Sequence, residues 1–172
     1  ENLQAAQTVK RNAEYLLPIL TALQTLAVTQ TFSLRLIGGT DIATICPTGV
    51  DIEYLPWSAD TEAAALLASD IGIMPLPDNP YEQGKCGFKL VQYWSAGLPV
   101  VASPVCVNKD YVDGENGFLA ADPEAWLASL HRLLESTKLR QRMGAAGYAT
   151  YRARFTRQHC AHAWRTLLGE AA

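Results

Sequence analysis

From Asn12 onward, Ala13, Leu16, Leu17, Leu20 and Leu23 recur at the spacing of one helical face, which predicts an amphipathic helix packed on a sheet. The pattern then changes to period two in "FSLRLIGG" (32–39) and "VDIEYLPW" (50–57), strands closed by two glycines and by Pro56. Ser58 is placed to cap an Ala- and Leu-rich helix, with Asp60 and Glu62 in its first turn, where the helix dipole favours acids. The alternation repeats as the strand "IGIMPL" (71–76), a loop rich in Pro, Asp, Asn and Gly, a helix over residues 87–96 and the strand "PVVAS" (99–103). After "DGENGFLA" (113–120), a turn and a short strand, helices occupy the remainder. One starts at Pro123 with Asp122 as cap, and two more are divided by Gly147 and by Phe155–Thr156. Trp94, Trp126 and Trp164 fall on helices and are expected in the core.

Continuous Ile, Val and Leu strands separated by helices indicate parallel strands buried on both faces, so the fold class is a doubly wound α/β sheet ending in several helices. A chain of 172 residues, half of them apolar, suffices for one core, and residues 1–172 read as a single domain. The opening "ENLQAAQTVKRNAEYLL" shows neither β-branched alternation nor the Gly-rich turn with which such a sheet starts. The chain is therefore expected to begin after its first strand.

Charge changes this picture little. The net charge of −3 disfavours nucleic acid as partner, and no nucleic-acid-reading motif is present. Between His131 and Arg165, however, Arg132, Lys138, Arg140, Arg142, Arg152, Arg154, Arg157 and Arg165 face only Glu135, giving either a solvated helical surface or a patch for a membrane or a phosphate-bearing acceptor. No apolar run reaches the ~20 residues of a membrane span, and the N-terminus has no secretory pattern, so the chain reads as cytoplasmic, with peripheral membrane contact as an option. Cys46, Cys86, Cys106 and Cys160 are too dispersed for a disulfide framework or a zinc site and read as reduced thiols. The "HCAH" run (159–162) lacks a third ligand, and no metal is expected. Dispersed aspartates at strand ends do not form the paired acids of a phosphorelay receiver.

The chemistry-bearing stretch is "YEQGKCGFKLVQYWSAGLPVVAS" (81–103). In open α/β sheets ligands bind beyond the carboxyl ends of strands, and Gly84 to Lys89 follows such an end and opens a helix. A helix start offers unpaired N–H groups and a partial positive charge, to which Lys85 and Lys89 add. Either this is a phosphate cradle, or Gly84 and Gly87 serve a turn and the lysines are solvated. Cys86 has no histidine near it in sequence and reads as a small packing residue rather than a nucleophile.

The run "GKCGFKLVQYWSAGLPVVASPV" (84–105), taken with "GENGFLA" (114–120), resembles the donor-binding C-terminal domain of group 1 retaining glycosyltransferases of GT-B architecture. "AGLPVVAS" (96–103) carries it most closely, and "LRLIGGT" (34–40) and "YLPWS" (54–58) fall in the family's order. The resemblance implies a Rossmann-like C-terminal half of a larger two-domain enzyme, a nucleoside diphosphate sugar as donor substrate and no required cofactor. It also implies an acceptor sugar or lipid-linked sugar bound through an N-terminal domain outside this sequence. Carried over by position, the backbone around Cys86 to Phe88 would hold the diphosphate, with Gly84 and Lys89 beside it and Lys85 supplying charge. Gln92 would meet the ribose hydroxyls. Lys10 or Arg11 would contact phosphate or be a solvated first-turn charge, and Leu55 and Trp57 would meet the base, unless Trp57 only shields the sheet edge. The family's glutamate pair, E-x7-E, is absent: its first position is Gly84 and its second Gln92. Glu82, two residues early, is the remaining acid for a role near the sugar.

The reading is thus a hexosyl transferase domain, inactive as an isolated half. The other readings are a nucleotide-sugar epimerase of the same architecture and a nucleotide-binding module without catalysis.

Overall fold

The computed structural model describes residues 3–9, 13–38 and 48–169. Six parallel strands form one sheet: β1 (Leu3–Val9), β2 (Phe32–Gly38), β3 (Asp51–Pro56), β4 (Ile71–Met74), β5 (Val100–Ala102) and β6 (Gly117–Leu119), in the order β3-β2-β1-β4-β5-β6. The order reverses between β1 and β4, which creates a crevice at the carboxyl ends of the strands on either side of that point.

The expectation that the chain lacks its first strand is corrected. Leu3–Val9 is the strand from which both halves of the sheet grow, in register with β2 from Leu3↔Phe32 to Val9↔Gly38 and with β4 through Ala5↔Ile71 and Ala6↔Gly72. Gln4, Ala5, Ala6 and Gln7 give "LQAAQTV" little strand character of its own. Pairing on both edges supplies what local propensity does not.

The helices are α1 (Leu20–Thr29), α2 (Ala59–Leu67), α3 (Phe88–Ser95), the single turn α4 (Asn108–Tyr111), α5 (Pro123–Glu135), α6 (Thr137–Arg154) and α7 (Arg157–Leu167). Residues 13–19, expected as the start of a helix, are a 3-10 segment containing Pro18, whose missing N–H cannot continue the α-helical ladder. The buried face is Leu16, Ile19, Leu23 and Leu26, and Leu17 points to solvent.

Alternate residues of each strand feed two cores, one per face. Leu34, Leu36, Ile71, Ile73 and Val101 pack with α1, α5 and Trp126, whereas Ile37, Met74, Val100 and Ala102 pack with Leu66, Leu90, Tyr93 and Trp94 of α2 and α3. Arg35 points to the second face, where it pairs with Glu53 at 2.9 Å and donates to the carbonyls of Ala65 and Ala68, closing the end of α2. The expected caps are present: Ser58 Oγ accepts from the N–H of Asp60 at 3.2 Å and Asp122 Oδ1 from that of Ala125 at 2.8 Å.

Two helical expectations fail. Gly147 does not divide helices but lies inside α6, where a Cβ would stand 2.2 Å from Trp94 Cδ1; the division is at Ser136, which caps α6 through the N–H of Leu139. Glycine here admits the indole of Trp94, whose Nε1 donates to the Asn116 carbonyl at 3.1 Å. Trp164 is 66% exposed on α7, a helix with no buried residue, whereas Trp94 and Trp126 fill the core as expected. Several basic residues of the C-terminal fifth are engaged within the fold. Arg140 donates to the Leu133 and Leu134 carbonyls, Arg142 lies 3.4 Å from Glu115, and Arg132 and Arg154 cover the rings of Phe118 and Tyr111.

Candidate functional site

A cavity of about 570 Å³ opens at the carboxyl ends of β3 and β4, on the side where α2 and α3 begin. That volume lies within the usual range for small-molecule sites. Its floor is apolar, from Met74, Pro75 and Leu76, and its rim carries the segment 84–89 together with Gln92, Trp57, Glu62 and Tyr15.

Gly87 turns the chain into α3. Its φ of +69° lies in the left-handed region, and a Cβ would stand 2.9 Å from Val107 Cγ2. It is the N-cap of α3 and supplies no side-chain cap, so the helix start, whose residues Gly87, Phe88 and Lys89 border the cavity, has no capping hydroxyl or carboxylate from its N-cap residue. Gly84 has no comparable requirement: nothing lies within 4 Å of a Cβ built there. Phe88 and Cys86 are exposed, so Cys86 is a rim residue rather than the packing residue expected. The amide of Gln92 also borders the cavity and makes no hydrogen bond to a described residue.

Lys85 is held from two directions. Its Nζ lies 2.9 Å from Glu82 Oε2 and donates to the Tyr15 hydroxyl at 3.1 Å, and it lies 4.7 Å from the centre of the Tyr15 ring. Tyr15 in turn donates to Glu82 Oε1 at 2.6 Å. Burial, the largest influence, works against the ammonium charge, but the hydrogen bonds to Glu82 and Tyr15 outweigh it and raise the pKa of Lys85 above its ordinary 10.5. A lysine at this rim therefore stays cationic.

Glu82 is 2% exposed and is not part of the cavity lining. Its carboxylate lies beneath the rim, occupied by Tyr15 and Lys85, and its own N–H is anchored on Asn79 Oδ1 at 3.0 Å. Leu55 is half-buried against the core under α2 and α3 and does not reach the cavity, whereas Trp57, two residues on and 43% exposed, does. Lys10 and Arg11 lie outside the described residues, as do Gly39 and Cys46.

Sequence reading missed Tyr15 and Glu62. Tyr15 falls within the predicted amphipathic helix, yet a tyrosine just beyond the carboxyl end of a strand is a signal in its own right. Glu62 was accounted for by the helix dipole, and it also accepts from Trp57 Nε1 at 3.0 Å across the cavity wall. Among the described residues no group of three His, Cys, Asp or Glu could hold a metal, and no helix is long and apolar enough to cross a membrane. His159, Cys160 and His162 are exposed on α7.

The sequence profile described as "Glycosyl transferases group 1" matches residues 5–136. The chain belongs to the group 1 glycosyltransferase family. No curated protein sequence matches it significantly. Among solved structures, a glycosyltransferase from Rickettsia africae ESF-5 superposes with a TM-score of 0.77 at 14% identity, over 99% of this chain and 49% of that one. Anabaena Alr3699/HepE, solved with UDP and glucose, gives 0.74 at 17% identity over 99% of this chain and 49% of that one. The C-terminal domain of a group 1 family protein, LpcC, from Francisella tularensis gives 0.71 at 16% identity over 91% of this chain and 87% of that one. At these identities the likeness is one of fold, that of GT-B glycosyltransferase domains. The chain spans about a third to a half of the length of the longer glycosyltransferases it matches.

Proposed function

We propose that the chain is the donor-binding half of a retaining glycosyltransferase that moves a sugar from a nucleoside diphosphate to an acceptor hydroxyl. The observation that carries this reading is a cavity at the carboxyl ends of β3 and β4, bordered at once by a helix start, a fixed cation, a free amide and an aromatic ring. A diphosphate would accept hydrogen bonds from the backbone of residues 86–88 at the start of α3, with Lys85 and Lys89 alongside. Gln92 would pair with the ribose, and Trp57 would lie against the base. Catalysis of such a transfer is chiefly positioning and stabilisation of the departing diphosphate. Lys85 serves the second purpose, and Glu82 acts through Lys85 by holding it at the rim. The acceptor, a sugar or lipid-linked sugar, would enter from the side that the other half of a two-domain enzyme covers. In support of this reading, Anabaena Alr3699/HepE, of the same fold, is solved with UDP-glucose.

Calorimetric titration of the chain with UDP, GDP and ADP tests the site. Binding of at least one of them, weakened by Lys85→Ala, is expected. No heat from any of them at millimolar concentration would overturn it. In the full-length protein, epimerised donor formed without acceptor would assign the chemistry to an epimerase instead.

A further inference from the structure

The wall of the cavity formed by the turn from β3 into α2 carries a carboxylate that the donor-site reading leaves unused. Trp57 and Glu62 are fixed on this turn by backbone bonds, Trp57 N–H to the Gly38 carbonyl at 3.3 Å and Glu62 N–H to the Ser58 carbonyl at 2.9 Å. Their side chains are joined by the 3.0 Å bond from Trp57 Nε1 to Glu62 Oε1, which orients the carboxylate. Glu62 also borders, with Gln92, the groove between α2 and α3, so it stands beside the amide assigned to the ribose.

A carboxylate has about four acceptor positions on its two oxygens, and the indole occupies one. Both oxygens of Glu62 therefore retain acceptor capacity on a wall whose other large group is an aromatic ring. A base laid against Trp57 would meet the two acceptor oxygens of Glu62. Guanine answers that pair with two adjacent donors, N1–H and the 2-amino group. Uracil presents one N–H flanked by two carbonyls, so one carboxylate oxygen would face a carbonyl. Adenine and cytosine each present one amino group beside a ring nitrogen lone pair.

We infer that Glu62 reads the nucleobase edge and that the donor is a guanosine diphosphate sugar, an inference that rests on the donor-site reading above. Because hydrogen bonds to a charged group are the stronger ones and mismatched polar groups lose them outright, the preference for GDP over UDP is expected at about 10- to 100-fold.

The test is titration of the chain with GDP, IDP, UDP and ADP, repeated on Glu62→Gln. GDP is expected to bind most tightly, with IDP, which lacks the 2-amino group, between it and the other two. Glu62→Gln keeps the size of the side chain but replaces one acceptor by a donor, and should collapse the GDP-to-UDP ratio toward one. Equal binding of the four, tighter binding of UDP, or a GDP preference that survives in a Glu62→Gln protein of unchanged melting temperature would overturn the assignment of guanine to Glu62 and leave the donor site standing. Failure of all four to bind would overturn the donor site itself, and the inference with it. A second variant, Trp57→Phe, keeps the ring and removes the N–H that orients the carboxylate. It should shrink the same ratio in part, and a ratio unchanged in both variants would overturn the inference.

Discussion

The hydroxyl of Tyr15 donates to the buried carboxylate of Glu82 at 2.6 Å and accepts from Lys85 Nζ at 3.1 Å, joining the segment after β1 to the loop after β4. The two segments lie on either side of the point where strand order reverses, so this hydrogen-bonded group fixes the width of the crevice. Tyr15→Phe keeps the ring under Lys85 and leaves Glu82 Oε1 without its donor. A buried acceptor left unpaired costs about 1–3 kcal/mol. Urea unfolding should show a loss in that range, and a neutral Tyr15→Phe would mean that the carboxylate finds water or another donor.

The raised pKa of Lys85 fixes the sign of a pH dependence. A lysine that binds its proton more tightly when folded stabilises the fold below its unfolded value and loses that contribution as pH rises through the folded value. The stability difference between the native chain and Lys85→Met should therefore be constant through neutral pH and shrink only above 10.5. Unfolding free energies of the two proteins measured into alkaline solution check this. A difference that already declines near neutrality would contradict the pairing with Glu82 and Tyr15.

What the sequence made legible follows from how local each signal was. The strands β2, β4 and β5 and the caps at Ser58 and Asp122 are written in runs of Ile, Val and Leu or in single side chains beside a helix start, and they were found. β1 was missed because a strand paired on both edges tolerates "LQAAQTV", and only the sheet order explains it. In the candidate site, the segment 84–89, Gln92 and Trp57 were readable because motif and strand end coincide there. Glu82 was readable as a residue but not as a partner, since its contacts lie 67 residues away at Tyr15 and three residues on at Lys85. Glu62 was hidden by having a sufficient local explanation.

Gly147 reads as a helix break in the sequence and is a packing position in the structure, and the two roles predict different mutants. If it merely ended a helix, alanine would be harmless or helpful. In the structure an added Cβ meets the Trp94 ring at 2.2 Å, and Trp94 is fully buried and hydrogen-bonded to Asn116. Gly147→Ala should cost about 1–3 kcal/mol through displacement of the indole. Thermal unfolding, with tryptophan fluorescence as a local readout, decides between them. A melting temperature at or above that of the native chain would remove the packing account.

Gly84 and Gly87 look alike in sequence and differ in structure, and the difference isolates the helix start as a working element. At Gly84 an alanine meets no atom within 4 Å and no unfavourable φ. At Gly87 an alanine must hold φ near +69° and press on Val107, a conformational cost of about 1–2 kcal/mol before any contact is counted. Relief of that strain rotates the first turn of α3, and with it the N–H groups proposed to face the diphosphate. Gly87→Ala should therefore weaken a nucleoside diphosphate far more than the matching nucleoside, because the base and ribose contacts proposed for Trp57 and Gln92 lie outside that turn. Gly84→Ala should leave both nearly unchanged. Titrating each variant with the diphosphate and the nucleoside of the same base separates phosphate from base effects. Equal loss of both ligands in Gly87→Ala would show that the glycine serves only the fold, and a loss confined to Gly84→Ala would move the phosphate contact to the turn before the helix.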